Sequence, residues 1–315
     1  MSTAPISDPY KLPPSGILVV GGDSLVGNAL VRHFQAVDIP VKYTSRRAHK
    51  ESPDCIPFDL LRPIGLSASP EVAIICVGVT DTKQCHEYPA ETRSLNVDAT
   101  LQAASKLYLG GAHIIFLSSS QSIIGYPLGS VSNSPLPAPT ELGRQKFEAE
   151  RGILALGDRA TVLRATKVIS CKSTLISSWL IRLRNAQEIT PLLDFYFCPI
   201  SLRTMVAAVA KLAYTKMPGL FNLSGAAPLT YSDFAYQLAA TMNVNKSMIA
   251  PKSALDLNIP PYYPRALTCL DMTGMTAASG VLPQSVVSVI SDLLMEFSIY
   301  QSPAIRSTYT LCENE

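Results

Sequence analysis

Two short stretches of this 315-residue chain combine residue types that can grip a phosphorylated ligand. In LVVGGDSLVGNAL, Gly21 and Gly27 hold the first and last positions of a G-x-x-G-x-x-G turn, and Ser24 holds the middle one. Gly21 permits a tight turn after a strand, and Gly27 lets the following helix pack close to that strand. The helix start would then aim free N–H groups and its positive dipole end at a pyrophosphate. That role falls on Gly21, Gly22, Asp23, Ser24, Leu25, Val26 and Gly27. Two glycines alone are a weak signal; an apolar strand before them and an amphipathic helix after them are what the motif requires. An ordinary βα turn is the alternative. Further on, TSRR places Ser45, Arg46 and Arg47 where an acidic residue would otherwise take a ribose 2′-hydroxyl. Arginine pairs well with phosphate, so this end favours NADP(H) over NAD(H), with a solvated basic turn as the alternative. In FDL, Asp59, with Leu60 beside it, follows a short run where a carboxylate could accept from an adenine amino group.

Elements of the right kind surround these residues. GILVV (16–20), PVKYTS (40–45), VAIICVG (72–78), AHIIFLSS (112–119) and ATVLRA (160–165) read as strands. Helical patterns lie at 24–38, near 89–109 and at about 140–156. Unbroken apolar runs, rather than alternating ones, fit a parallel sheet covered on both faces. The strand–helix rhythm implies right-handed βαβ units. The expected fold is α/β, a doubly wound parallel Rossmann sheet with a smaller C-terminal α/β substrate lobe. The division is a flexible segment at 1–15 and a Rossmann dinucleotide-binding domain at 16–166, with 200–220 returning to it. The lobe takes 167–199 and 221–300, and a tail takes 301–315. Within the lobe, helices are expected at 173–187, 204–216, 230–243 and 283–297, with Thr230 or Ser232 as an N-cap. Trp179, on an apolar helical face, reads as core.

Bulk properties exclude several classes. Apolar residues make up 47% of the chain and charged ones 16%, which fits a globular protein. The net charge is +2 and the basic residues are scattered, so neither nucleic acid nor a membrane surface is expected as a partner. No run reaches membrane-spanning length, and MSTAPISDPYKLPPS lacks the basic start and apolar core of a signal peptide, so the cytoplasm is the expectation. The seven cysteines are odd in number and show no C-x-x-C, and are expected as free or buried thiols. The four histidines lack ligand spacing, so no metal is expected. A homodimer is admitted, but the sequence does not fix the oligomeric state.

Taken in order, VVGGDSLVG, FDL, CVGVT, SLNVDAT, FLSSSQSIIG, LGRQKFEAE and VLRATKV resemble the extended short-chain dehydrogenase/reductase superfamily of nucleotide-sugar epimerases, dehydratases and reductases. CPISLRTMVAAVAKL and GLFNLSGAAPLTYSDFA also look like that family, and PRALTCLDMT resembles the end of the dTDP-4-dehydrorhamnose reductase branch. The resemblance covers about residues 16 to 295. It implies a small-molecule substrate, a nucleotide-linked sugar or related keto/hydroxy compound. It places Gly21, Ser24 and Gly27 at the pyrophosphate and Asp59 at the adenine. Cys76, Val77, Gly78 and Val79 would line the cofactor, with Asn96 beneath the site and Ser118 nearby. Ser119 and Ser120 would face the substrate, Ser120 bonding its oxygen. Lys146 would hold the nicotinamide ribose, and Arg182, Arg184 and Arg265 could meet a diphosphate, a solvated surface arginine being the alternative for each.

One departure stands out. Hydride transfer to a ketone leaves an alkoxide that needs a proton, and in the family a tyrosine four residues before the lysine supplies it. The i, i+4 spacing puts both side chains on one helix face. In LGRQK the lysine is Lys146, but the phenol position is Leu142, which can neither donate nor accept a proton. Losing a general acid typically costs about 10²–10⁴-fold. Ile124 replaces another tyrosine usual in the family. Tyr126, Cys85 or Glu141 could substitute in a different geometry; a shifted alignment could not, because no tyrosine lies between 127 and 195. Three readings stay open: an atypical oxidoreductase or epimerase, a catalytically silent dinucleotide-binding regulatory or scaffold protein, and a hydride-handling reaction that needs no tyrosine.

Overall fold

Runs of Val, Ile and Leu without polar interruption form strands with no exposed face, and this governs the architecture. The computed structural model describes residues 16–47, 52–61, 70–123, 138–265 and 269–301. In chain order come β1 (Ile17–Val20), α1 (Leu25–Ala36), β2 (Val41–Ser45), β3 (Cys55–Pro57), β4 (Val72–Ile75), α2 (Thr82–Glu87) and α3 (Pro89–Arg93). A π-helical turn (Ser94–Ala99) leads into α4 (Thr100–Leu109), β5 (His113–Ser119), a 3-10 turn (Ser120–Ile123), α5 (Glu141–Leu154) and β6 (Ala160–Ala165). Then follow β7 (Lys167–Ile169), α6 (Thr174–Arg184), β8 (Tyr196–Phe197), β9 (Pro199–Ser201), α7 (Leu202–Thr215) and β10 (Gly219–Leu223). The last are β11 (Leu229–Thr230), α8 (Tyr231–Thr241), a 3-10 turn (Lys246–Met248), α9 (Thr273–Ser279) and α10 (Val286–Gln301).

Two compact units result. The first comprises the described parts of Met1–Ala165, Val206–Leu223 and Asp271–Leu282; the second, those of Thr166–Met205, Ser224–Leu270 and Pro283–Glu315. The first unit holds a seven-stranded sheet in the order β10-β6-β5-β4-β1-β2-β3. Every pairing in it is parallel. β1 and β4 are buried at every residue, as is β6. The strand order reverses between β1 and β4, and in such sheets ligands bind in the crevice beyond the strand ends at that point. The second unit has two small ladders, β7 with β9 and β8 with β11. Its core gathers Trp179, Phe197 and Phe234, and the rings of Phe197 and Tyr231 stack at 4.2 Å. Thr230 caps α8 through a reciprocal pair with Asp233.

The structure departs from the expectations in four places. β3 and β10 are strands where the sequence shows only a short run and no strand pattern, respectively; both occupy sheet edges, where fewer apolar residues are needed. The helix expected near 89–109 is broken into α3, the π-turn and α4. The chain that rejoins the first unit after α6 includes 206–223 and also 271–282. The cysteine reading is corrected: Cys198 and Cys269, 71 residues apart, form a disulfide with Cα atoms 5.5 Å apart. Spacing in sequence carries no sign of this, because the fold of the second unit brings the two together. Cys55, Cys76, Cys85 and Cys171 are thiols. Among the described residues no helix is long and apolar enough to cross a membrane, and no group of three His, Cys, Asp or Glu side chains could hold a metal ion.

Candidate functional site

The glycine turn is built by contacts that leave no room for larger residues. Gly21 has φ +94°, and a Cβ there would lie 2.5 Å from Val77 Cγ1 at the end of β4. A Cβ on Gly27 would meet the Gly21 carbonyl oxygen at 2.1 Å, so α1 starts hard against the turn. Ser24, in the middle position, turns its hydroxyl inward: it accepts from Gly27 N at 3.0 Å and donates to Gly21 O at 2.8 Å. This is an N-cap, and it uses one of the free N–H groups of the first turn. Leu25 and Val26 belong to the same turn, whose N–H groups have no partner within the helix. The loop is also fastened to β2. Gly21 N donates to Thr44 Oγ1 at 2.9 Å, Gly22 N donates to Thr44 O at 2.9 Å, and Ser45 Oγ donates to Asp23 Oδ2 at 2.5 Å. The residues that could hold a dinucleotide pyrophosphate therefore form a rigid cradle beside a helix N-terminus, which fits that group.

At the end of β2, Arg46 and Arg47 are exposed. Asp59 follows β3, and its Oδ1 accepts from Leu61 N at 3.1 Å; Leu60 is buried. Beyond β4, Gly78 has φ +141°, and a Cβ there would lie 2.9 Å from Asn96 Oδ1 and 3.5 Å from Lys146 Nζ. The close approach of Asn96 and the positive φ both call for glycine here, and Lys146 lies at ordinary contact distance from the same point. Asn96 projects from the π-turn, a local widening of the helix often found at functional sites. It accepts from Val79 N at 2.7 Å and donates to Val79 O at 3.0 Å and to Gln145 Oε1 at 2.8 Å. Gln145 in turn donates to Thr92 Oγ1 and Glu141 Oε1, both at 3.0 Å. Gln145 was not singled out in the sequence; its position inside LGRQK was the available signal.

Lys146 is buried on α5. Its Nζ donates to Leu117 O at 3.2 Å and lies 4.8 Å from the Phe116 ring centroid. Burial holds its ammonium down at about 8, with Glu150 opposing that shift. Leu142, one turn earlier, is 2% exposed. The head of α5 is pressed against the 3-10 turn, for a Cβ on Gly143 would approach Gln121 O to 2.3 Å. The three serines diverge. Ser118 is buried and donates to Glu150 at 2.5 Å, inside a buried Glu150–Arg164 ion pair. Ser119 accepts from Gln121 N at 3.2 Å. Ser120 opens the 3-10 turn, also buried. Lys146, Asn96 and Gly78 are thus brought together, while Ser118 points into a separate cluster.

Two of the suggested substitutes for the phenol are already hydrogen-bonded within the network around Asn96 and Gln145. Cys85 Sγ donates to Val79 O at 3.7 Å, and burial raises its thiol. Glu141 accepts from Arg144 at 2.7 Å as well as from Gln145. Ile124 and Tyr126 lie outside the described residues. In the second unit, Arg182 Nε donates to Glu188 O at 2.8 Å, closing the end of α6, and Arg265 lies 3.9 Å from Asp194.

A parallel sheet with its switch at β1, a glycine turn into α1 and a lysine helix beneath β5 defines a Rossmann-type protein of the extended short-chain dehydrogenase/reductase kind. The chain belongs to the RmlD substrate-binding domain family, whose profile matches residues 15–297. It is 22% identical over 266 residues to the Bos taurus protein named methionine adenosyltransferase 2 subunit beta, covering 78% of each chain. The dTDP-4-dehydrorhamnose reductase of Bacillus anthracis, solved in complex with NADP, matches with TM-score 0.77 at 15% identity, covering 89% of this chain and 97% of that one. MoeE5 in complex with UDP-glucose and NAD matches with TM-score 0.74 at 16% identity, covering 91% and 100%. At such identities these structural likenesses establish the fold.

Proposed function

We propose that this protein binds NADP(H) along the glycine turn and acts on a nucleotide-linked sugar or related keto/hydroxy substrate as an atypical oxidoreductase or epimerase. The observation that carries the reading is Lys146. A buried ammonium costs stability, and packing alone would be better served by an uncharged chain of the same length. Its retention beside Gly78 and Asn96 is what a nicotinamide ribose pocket requires. A bound dinucleotide supplies or accepts hydride. The chain's own part is to seat the pyrophosphate against α1, attract a 2′-phosphate with Arg46 and Arg47, and keep the pocket around Lys146 dry. Leu142 contributes no proton, so the proton must come from a group outside the head of α5.

A second reading is favoured by the same leucine. Leu142 is core, Cys85 and Glu141 are engaged, and the mammalian relative bears the name of a subunit. On that reading the protein holds a dinucleotide and is catalytically silent, in a regulatory or scaffold role. Fluorescence titration with NADPH and NADH, followed by absorbance with a panel of keto-sugar nucleotides, separates the two. Turnover of the bound cofactor supports the first. Tight binding with no oxidation leaves the second, and no binding of either nucleotide overturns both.

A further inference from the structure

Beyond the end of β4, one buried amide holds another. Asn96 and Gln145 are each 1% exposed, and each spends both ends of its side chain on hydrogen bonds. The direction of these bonds is fixed from one side. Thr92 Oγ1 donates to Tyr88 O at 2.8 Å, so its one proton is used and it accepts from Gln145. Glu141, a carboxylate paired with Arg144, also accepts from Gln145. Gln145 therefore turns its Nε2 toward Thr92, Glu141 and Pro89 O, and its Oε1 is left for Asn96 Nδ2 at 2.8 Å. Asn96 Nδ2 also donates to Val79 O at 3.0 Å, and Asn96 Oδ1 accepts from Val79 N at 2.7 Å. A single side chain thus binds both backbone groups of Val79, next to Gly78.

The two ends of an amide have nearly the same shape, so packing alone does not decide which way Asn96 faces. Gln145 decides it. A reversed Asn96 would set its oxygen against Gln145 Oε1 and its NH₂ against the Val79 N–H. The choice bears on the space beside Lys146, because a Cβ on Gly78 would lie 2.9 Å from Asn96 Oδ1 and 3.5 Å from Lys146 Nζ. We infer that Gln145 is a positioning residue for the nicotinamide end of the dinucleotide site. It orients Asn96, and through Asn96 the Val79 backbone, beside Lys146, and touches no ligand itself. A methionine would fill the same volume with no partners to satisfy; the polar amide is what an orienting role needs. The inference rests on the dinucleotide-binding reading above and adds to it the residue that LGRQK carries just before its lysine.

The test uses two ligands: NADPH, and 2′-phospho-ADP, which is NADPH without its nicotinamide riboside. Both are titrated into wild type, Gln145→Met and Thr92→Val, with circular dichroism to confirm folding. Gln145→Met keeps the length and frees Asn96 to reverse. It is expected to weaken NADPH about tenfold, the scale of one lost buried hydrogen-bond partner, and to leave 2′-phospho-ADP unchanged, because that ligand ends at the glycine turn. Thr92→Val removes one anchor of Gln145 and leaves Glu141, so it should show the same split on a smaller scale; it carries the test if Gln145→Met does not fold. A loss shared equally by both ligands is general loosening and overturns the inference. An unchanged NADPH affinity in folded Gln145→Met overturns it too, or in Thr92→Val where only that variant folds. Wild type binding 2′-phospho-ADP as tightly as NADPH also overturns it, since the nicotinamide end then adds nothing, while the cradle reading stands. Neither ligand binding to folded wild type overturns the binding reading, and the inference with it.

Discussion

The glycine turn and the head of α5 lie at strand ends of the same unit, and they have been filled on opposite terms. At the turn, Gly21, Gly22, Ser24 and Asp23 are tied by short polar contacts to Thr44, Ser45 and α1. At the head of α5, a leucine 2% exposed occupies the turn before Lys146. The first region has the geometry of a ligand cradle. The second combines a hydrophobic plug with an expensive buried ammonium. On the proposed reading, the contrast would make binding and proton transfer separable on this fold: the cradle is complete, while a buried leucine stands one turn before Lys146.

The largest effect expected is at the plug. Leu142→Ala should cost about 2–5 kcal/mol of stability, the range for emptying a buried leucine site, with NADPH affinity of the folded protein unchanged. Urea unfolding and nucleotide titration check it. A loss of affinity without a loss of stability would mean that Leu142 faces ligand rather than core.

Lys146→Met probes the other half of α5, and here the sign depends on pH. The folded ammonium is held at about 8 against 10.5 for a free lysine. The unfolded chain therefore binds more protons between those two values, and stability rises with pH through that window. Below about 8 the full penalty applies, up to about 3 kcal/mol. Lys146→Met should accordingly be more stable than wild type at neutral pH, with the gain fading toward 10.5, while nucleotide binding weakens. Denaturant melts at several pH values read this out; a variant less stable at neutral pH would contradict it.

Gly27→Ala tests the cradle. The added methyl meets the Gly21 carbonyl, which is backbone and cannot move aside alone, so about 1–3 kcal/mol of destabilisation is expected, with weaker nucleotide binding. Smallest is Ser24→Ala, which removes the cap of α1 for about 1 kcal/mol. Thermal unfolding resolves both, and a neutral Gly27→Ala would show the turn to be looser than its contacts imply.

Much of this contrast could be read before folding was considered. β1, β4, β5 and β6 are legible because strands buried on both faces are dominated by unbroken apolar runs, the buried His113, Ser118, Thr161 and Arg164 being exceptions that find polar partners. Gly21 and Gly27 were legible because a turn of that tightness excludes side chains. The π-turn at Ser94–Ala99 was not legible, since SLNVDAT is ordinary helical sequence and the insertion arises where Asn96 reaches across to Val79 and Gln145. Gln145 offers only its place inside LGRQK as a signal, because apart from Glu141 its partners come from α3 and the π-turn, tens of residues away. Ser118 resembled its neighbours in SSS, but strand alternation turned it toward Glu150. The pairing of Asp23 with Ser45 likewise depends on parallel registration of β1 and β2, which spacing alone does not report.

The Cys198–Cys269 bond acts on a state that has no fixed shape. Tying together residues 71 apart removes conformations from the denatured chain, which on loop-closure entropy amounts to about 4 kcal/mol. Samples kept with and without a thiol reductant would then share a native fold yet unfold to different ensembles. A melting curve from one is measured against a different zero from a curve of the other, and only a common oxidation state makes two variants comparable.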